Sequence, residues 1–95
     1  MHEVRHEEAG QRGTFYLEGS GARTAAMTYS RAGEAMVLID HTEVADSLRG
    51  QGAGRALLEA AVRWARANSL SIVPVCPFAK AQFAKDERLR DVLSR

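Results

Sequence analysis

The sequence has few of the features that define several large classes of protein. It contains one cysteine, Cys76, in 95 residues, which excludes an internal disulfide and a cysteine-built zinc site and suits a reducing compartment. No segment approaches the roughly 20 apolar residues that a membrane-spanning helix needs, and the polar start does not resemble a signal peptide. We therefore expect a cytoplasmic protein with no membrane partner.

An excess of charge of either sign is also missing. The chain has 13 Lys and Arg against 12 Asp and Glu, a net charge of +1, and aromatic residues make up 6% of it. Without a basic block, this composition gives no electrostatic basis for binding nucleic acid. Ninety-five residues allow one core but leave little surface for elaborate substrate recognition. We predict a single domain over residues 1–95, with no metal site.

Glycine, in contrast, is concentrated in one short stretch. Gly50, Gly52 and Gly54 lie within five positions, and an apolar pattern of helical spacing follows at once from Leu57 to Ala65. The N–H groups of a first helical turn have no partner inside the helix, and glycine lets an oxyanion approach them closely. The positive end of the helix dipole adds to this attraction. The stretch predicts an anion cradle, although a plain structural turn is the alternative.

The segment before this loop, Met36–Val44, has the pattern of a strand. Its first half is apolar on both faces and its second half is polar, as expected where a buried strand opens onto a site. By period two, His41 and Glu43 share one face and Asp40 and Thr42 the other, unless a bulge intervenes. His41 with Glu43 is a candidate general base or water-holding pair. The alternative is that His41 only supports its neighbours through a hydrogen bond.

The remaining segments complete an α/β pattern. We predict strands at residues 3–7, 13–18, 23–30 and 70–76, and helices at about 52–68, 77–84 and 86–95. Tight turns between the first strands indicate an antiparallel meander. The strand-helix-strand order that follows indicates a parallel, right-handed crossover. In the long helix, Glu59 and Arg63 are spaced as an i,i+4 ion pair.

Two residues near the end of the last strand are candidates for function. Pro74 cannot donate to a ladder, so this strand should diverge from Met36–Val44 near their carboxyl ends, where ligands of α/β sheets bind. An ordinary edge strand is the alternative. Cys76 lies at a strand end and a helix start, where the helix dipole favours a thiolate. A reactive thiol is therefore one interpretation of Cys76, and a buried, inert thiol is the alternative.

Three motifs in order resemble those of a known family. Residues 41–44, the Arg49 to Gly54 loop and residues 74–78 together resemble the GCN5-related N-acetyltransferases, whose acetyl-CoA signature is Q/R-x-x-G-x-G/A. The resemblance covers residues 29–83 and is strongest to the small members typified by the N-acetyltransferase domain-containing protein 1 group. It implies an α/β (α+β) fold with a GNAT-like mixed sheet. In that fold an antiparallel meander is followed by a parallel β-α-β acetyl-CoA-binding unit and short C-terminal helices.

The resemblance also implies a cofactor site and an activity. The pantetheine arm would lie between two splayed parallel strands, beside Thr42, Glu43 and Val44. The pyrophosphate would be held by Arg49, Gly50, Gln51, Gly52, Ala53, Gly54 and Arg55. The implied activity is acetyl-CoA-dependent transfer of an acetyl group to an amine, and the alternative is a module of the same fold that binds acetyl-CoA or CoA without catalysis. His41 is then the candidate base and Cys76 the candidate acid or acyl carrier, with direct transfer preferred.

The chain departs from the family pattern in two places. Only residues 8–12 lie between the first two predicted strands, where larger members carry two helices that help to form the acceptor site. The acceptor site is therefore open, completed by a partner chain, or fitted to a large substrate. Residues 85–87 replace a proline-containing segment after the short helix, which affects the predicted lid but not the cofactor site. Exposed strand edges in so short a chain favour a homodimer.

Overall fold

The computed structural model describes residues 2–94, which form one sheet with helices packed on it. The strands are β1 Arg5–Ala9, β2 Arg12–Gly19, β3 Ala22–Arg31, β4 Met36–Val44 and β5 Ser71–Pro74; the helices are α1 Ala53–Ala67 and α2 Pro77–Lys85, and 3₁₀ segments span Asp46–Leu48 and Glu87–Val92. The strand order is β1-β2-β3-β4-β5. The pairs β1–β2, β2–β3 and β3–β4 are antiparallel, and the pair β4–β5 is parallel. The predicted meander and crossover are confirmed.

The core lies on one face of this sheet. Alternate residues of β2 to β5 point to it, and register partners such as Phe15 and Met27, or Val37 and Ile72, are buried together. Helix α1 covers this face through an apolar stripe that includes Leu57 and Leu58, which are both fully buried. Burying a leucine stabilises the fold by about 1.5–3 kcal/mol, so this stripe holds α1, and the loop before it, in place.

The opposite face of the sheet carries no helix in the described residues. Strand β1 ends at Ala9 and β2 begins at Arg12, so a two-residue turn stands where an inserted helix pair would be. Helices α1 and α2 lie on the same side of the sheet, because Arg55 of α1 hydrogen-bonds Gln82 of α2. Among residues 2–94, no helix is long and apolar enough to cross a bilayer. The predicted lack of helices between the first two strands is confirmed.

A β-bulge interrupts β4 at its middle. Thr28 of β3 pairs with His41 and Tyr29 pairs with Ile39, so Asp40 is an extra residue without a partner. The Asp40 carboxylate accepts a hydrogen bond from Thr28, whose side chain shares the uncovered face with His41. Asp40 and Thr42 therefore lie on different faces, which is the exception for a bulge that the sequence prediction allowed.

Three predicted boundaries also differ from the structure. The first strand begins two residues later than predicted, at Arg5. Strand β5 is short because the N–H groups of Val75 and Cys76 both donate to the same Ile39 carbonyl, which ends regular pairing. The predicted final helix is a 3₁₀ segment, Glu87–Val92. It gives way to an extended residue, Leu93, bridged to Ile72 of β5.

A histidine on the exposed strand β1 makes stability depend on pH. The His6 ring stacks on Phe15 with centroids 4.1 Å apart, and its Nε2 lies 2.6 Å from the Tyr29 hydroxyl. Burial lowers the pKa of His6 from its ordinary 6.5. The unfolded chain therefore takes up the proton first, and folding stability should fall as the pH drops below 6.5.

Urea unfolding at pH 7.5 and pH 5.5 measures this effect. We expect lower stability at the acid pH for the wild type and for His2→Gln, whose histidine makes a single exposed hydrogen bond. His6→Phe keeps an aromatic ring on Phe15 but cannot titrate, so its stability should change less between the two pH values. Equal losses in wild type and His6→Phe would contradict the assignment.

Candidate active site

The glycine-rich loop turns the chain from β4 into α1. Gly50 and Gly52 have φ angles of +78° and +75°, a conformation that glycine adopts without the steric penalty of other residues. A Cβ at either position would meet nothing within 4 Å. The conformation therefore explains the two glycines, and the space beside them is open to a ligand.

The start of α1 supplies unpaired hydrogen-bond donors at this opening. The first intrahelical bond runs from the Ala56 N–H to the Gly52 carbonyl, 2.9 Å away, so the N–H groups of Ala53, Gly54 and Arg55 precede it and have no acceptor within the helix. Among residues 2–94 no side chain caps these donors, and the first turn contains no acidic residue. An anion at this helix start is favoured by both the donors and the dipole.

Strands β4 and β5 separate beside the loop. Their pairing ends at Ile39 and Pro74, whereas β4 continues to Val44. This confirms the divergence predicted from Pro74. The Ala45 N–H donates to β3, to the Thr24 carbonyl 2.8 Å away. Since alternate residues of a ladder face the same neighbour, the backbone N–H and C=O of Thr42 and Val44 face the gap instead.

Two cavities meet at this corner of the molecule. One of about 310 Å³ lies against the loop and is lined by Val44, Leu48, Arg49, Gly50, Gly52, Ala53, Gly54, Arg55, Phe78 and Gln82. Another of about 690 Å³ lies at the carboxyl end of β4 and is lined by Arg23, Thr24, Ala25, Ala26, Thr42, Glu43, Val44, Ala45 and Arg49. Val44 and Arg49 belong to both. The structure thus gathers the cofactor residues predicted from sequence, except Gln51, whose side-chain amide donates to the Ser47 carbonyl.

The two catalytic candidates lie on opposite sides of β4. His41 and Glu43 are exposed on the uncovered face, with His41 Nε2 2.8 Å from Glu43 Oε1. Because a carboxylate only accepts hydrogen bonds, Nε2 carries the proton in this pair, which leaves the Nδ1 lone pair free to take up another. Cys76 is buried on the helix side, with its Sγ 3.4 Å from Thr42 Oγ1. Strand β4 therefore separates the two pairs.

Cys76 also has a structural role at the start of α2. Its Sγ accepts a hydrogen bond from the Ala79 N–H at 3.5 Å, so the thiol is the N-cap of the helix. Pro77 follows at the first helical position, where its missing N–H costs nothing. This arrangement holds the sulfur at the inner end of the gap, next to Thr42.

One contact network at the site was not predicted from the sequence. The Arg55 guanidinium donates to Glu59 at 3.0 Å and to Gln82 at 3.1 Å, and it also pairs with Asp86. Asp86 in turn caps the last 3₁₀ segment by accepting from the Arg88 N–H. Hydrogen bonds from the guanidinium groups of Arg88 and Arg55 hold the pKa of Asp86 far below its usual range. The network joins α1 to α2 beside the loop. It includes Asp86, one of the three residues that replace the proline-containing segment of the family pattern.

Gly54 also has a packing role that the glycine motif does not indicate. A Cβ at this position would lie 2.8 Å from the Phe78 ring, so glycine lets α2 pack directly on the first turn of α1. One feature of the sequence indicates this contact. Gly54 lies inside a helix, where alanine normally stabilises the helix more than glycine does. The third glycine of the loop is therefore explained by packing as well as by its backbone N–H.

The chain has relatives among known families and structures. A family profile of the GCN5-related N-acetyl-transferases matches residues 14–92. The NMR structure of a GCN5-like putative N-acetyltransferase from Staphylococcus aureus is 35% identical and aligns over 97% of this chain and 87% of that one, with a TM-score of 0.75. No curated protein sequence matches the chain.

More distant structures share the fold. The aminoglycoside N-acetyltransferase AAC(6')-Iy in complex with CoA is 13% identical over 92% of this chain and 89% of that one, with a TM-score of 0.64. The ribosomal-protein-alanine N-acetyltransferase from Brucella melitensis is 16% identical over 90% of this chain and 64% of that one, with a TM-score of 0.62. At such identities the likeness establishes architecture alone.

A sheet that opens between two parallel strands, beside a glycine loop and a helix start, is the architecture of an acetyl-CoA-dependent transferase. The profile match spans most of the chain, and the structure from Staphylococcus aureus aligns over almost all of it. The chain belongs to the GCN5-related N-acetyltransferase family. It is accordingly an N-acetyltransferase that uses acetyl-CoA and an amine acceptor.

Proposed function

We propose that the loop from Arg49 to Arg55 binds the pyrophosphate of acetyl-CoA and that Thr42, Glu43 and Val44 line its pantetheine arm. The observation that carries this proposal is the run of unpaired N–H donors at the start of α1, which opens beside the gap between β4 and β5. Arg49 is mostly exposed, and its ion pair with Asp46 is on the surface, where such pairs are weak. Arg49 is thus free to turn toward a phosphate.

The direction from which the amine attacks the thioester follows from the positions of His41 and Cys76 on opposite sides of β4. An amine reaches the thioester from the uncovered face, where no helix of the described chain obstructs it. His41, with Nε2–H held by Glu43, takes the proton from the attacking amine through Nδ1. Cys76, on the helix side, gives a proton to the departing sulfur. Backbone N–H groups of β4 that face the gap stabilise the oxyanion, each worth about 3 kcal/mol in related acyl transfers.

We further propose a finer classification on the same residues. The loop sequence together with residues 41–44 and 74–78 supports placement among the small members typified by the N-acetyltransferase domain-containing protein 1 group.

Residues 1–95 act as one domain, the free thiol of Cys76 is consistent with a cytoplasmic protein, and the unpaired outer edge of β1 supports a homodimer. The balanced charge supports the absence of a nucleic-acid partner.

Thermal unfolding with and without acetyl-CoA tests the proposed function. A ligand at 100 times its dissociation constant stabilises the native state by about 2.7 kcal/mol, which raises the Tm of a domain of this size by several degrees. We expect this rise with acetyl-CoA. No rise at millimolar acetyl-CoA would contradict the proposed cofactor site.

Cys76 distinguishes direct transfer from a two-step route. With direct transfer, wild-type protein incubated with acetyl-CoA and no acceptor should show no acetyl adduct by intact mass. Cys76→Ala should lower kcat less than His41→Ala does, because a thiolate is a good leaving group even without an acid. Cys76→Ser keeps an acceptor for the Ala79 N–H and controls for loss of the helix cap, worth about 1 kcal/mol. An adduct that forms on wild type and not on Cys76→Ala would contradict direct transfer.

A further inference from the structure

A groove with an excess of arginine lies behind the glycine loop, between α1 and the 3₁₀ segment Glu87–Val92. Its volume is about 270 Å³, and it is lined by Arg55, Glu59, Val62, Arg63, Arg66, Arg88 and Leu89. We call it the arginine groove. Four of these seven side chains carry guanidinium groups, which favours an anionic ligand over a cationic or apolar one.

Three of the four guanidinium groups are fixed in place by carboxylates. Arg55 is held by Glu59 and Asp86, and Asp86 also accepts from Arg88 Nε at 3.1 Å. Arg66 donates to both oxygens of Asp91 at 2.7 Å and to the Arg88 carbonyl at 2.8 Å. These bonds order the walls of the groove before any ligand arrives, which lowers the entropic cost of binding.

Arg63 is the exception. Its expected partner, Glu59, pairs with Arg55 instead, so the predicted ion pair between Glu59 and Arg63 is wrong. Within residues 2–94, Arg63 makes no ion pair, and the carboxylates that hold the other arginines number three: Glu59, Asp86 and Asp91. The groove therefore has four arginines and the carboxylates that hold them number three, so one positive charge is left without a carboxylate. Within residues 2–94, Arg63 carries that charge.

The groove adjoins the proposed pyrophosphate site. Arg55 lines both the groove and the cavity against the glycine loop. Arg63 follows Arg55 by two helical turns, about 12 Å along the axis. Because side chains of a helix lean toward its N-terminus, we expect the Arg63 side chain to extend toward the loop.

We propose that the arginine groove binds the 3′-phosphate of coenzyme A and that Arg63 is the residue that recognises it. This inference rests on the proposed cofactor site. Coenzyme A carries a phosphomonoester on its ribose, one sugar away from the pyrophosphate, so a ligand anchored at the loop presents a second anion nearby. A guanidinium group binds phosphate oxygens in a bidentate manner and suits this role better than a lysine would.

Binding of coenzyme A and of 3′-dephospho-coenzyme A, measured by isothermal titration calorimetry, tests the inference. A charge-assisted contact contributes enough to make wild type prefer coenzyme A by about tenfold or more. Arg63→Gln should reduce this preference to near unity while leaving the affinity for dephospho-coenzyme A unchanged. Arg63→Lys should keep part of the preference. Arg5→Gln, an equal loss of charge on the exposed strand β1, should keep all of it.

The possible results separate the two proposals. Equal affinity of wild type for both compounds would overturn the groove assignment while leaving the cofactor site intact. A tenfold preference that survives Arg63→Gln would also overturn it, because the phosphate would then be recognised elsewhere. If neither compound binds wild type, the proposed cofactor site itself fails. We also expect the preference for coenzyme A over dephospho-coenzyme A to decrease as the NaCl concentration rises, because salt screens the exposed contact.

Discussion

Glutamate at position 52 should abolish binding of acetyl-CoA without unfolding the protein. Gly52 stands at the N-cap of α1 with a φ of +75° and open space beside it, so a longer side chain has room but projects into the proposed pyrophosphate site. A carboxylate there opposes the pyrophosphate charge and blocks its approach to the N–H donors. We expect a loss of about 3 kcal/mol or more, a weakening of more than 100-fold.

The chain offers a matched control for this substitution. Gly33, in the turn between β3 and β4, has a φ of +80°, and a Cβ there would also meet nothing within 4 Å. Gly33→Glu therefore introduces the same charge and a similar backbone strain far from the loop. Thermal shifts should show that Gly33→Glu keeps the stabilisation by acetyl-CoA and that Gly52→Glu loses it. Equal responses of the two variants would place the cofactor elsewhere.

Removing the imidazole of His41 should have the largest effect on turnover. A positioned general base contributes about 10²–10⁴ to the rate, so His41→Ala should lower kcat by a factor in that range. The KM for acetyl-CoA should hardly change, because His41 lines neither cavity that holds the proposed cofactor residues. Steady-state kinetics at saturating acceptor measure both quantities.

Glu43→Gln separates the role of His41 from that of its partner. The amide can still accept the Nε2 hydrogen bond but carries no charge, so this variant should lose less activity than His41→Ala. Unchanged kcat in His41→Ala would remove His41 from the mechanism.

Local patterns in the sequence were sufficient to predict the elements that carry the site. The apolar period of α1, the turn glycines and the β4 pattern depend on neighbouring residues, and the observed bounds of β4 agree with the prediction residue for residue. The family motifs then located the loop and the gap. The divergence of β4 and β5 was predicted correctly, but Pro74 does not cause it. The N–H groups of Ser71 and Val75 donate to β4, so the backbone nitrogen of Pro74 faces away from β4. The pairing ends where Val75 and Cys76 share the Ile39 carbonyl.

Features that depend on distant contacts were predicted less well. The bulge at Asp40 depends on its pairing with β3, which no local pattern encodes. The last helix is short because Asp86 caps a 3₁₀ segment and the chain after it runs beside β5. Arg55 was predicted only as a phosphate ligand. Its contacts with Gln82 and Asp86 lie 27 and 31 residues away in the sequence.

We expect the amine acceptor to approach over the uncovered face of the sheet. His41 and Glu43 stand there among polar side chains of β2 and β3, and the ion pair between Arg12 and Asp40 lies beside them. The cavity of about 690 Å³ that Glu43 lines opens next to the pair of His41 and Glu43. We expect the charges near His41 to contribute to binding of the acceptor.

Release of free thiol from acetyl-CoA tests the account most directly. The wild-type protein is mixed with acetyl-CoA and, in separate reactions, with a polyamine, an aminoglycoside, a peptide with a free α-amino group and a lysine-containing peptide. The account predicts thiol release that depends on at least one of these amines and is lost in both His41→Ala and Gly52→Glu. Saturable binding of acetyl-CoA with no amine-dependent release would contradict it and would identify a module that binds the cofactor without catalysis.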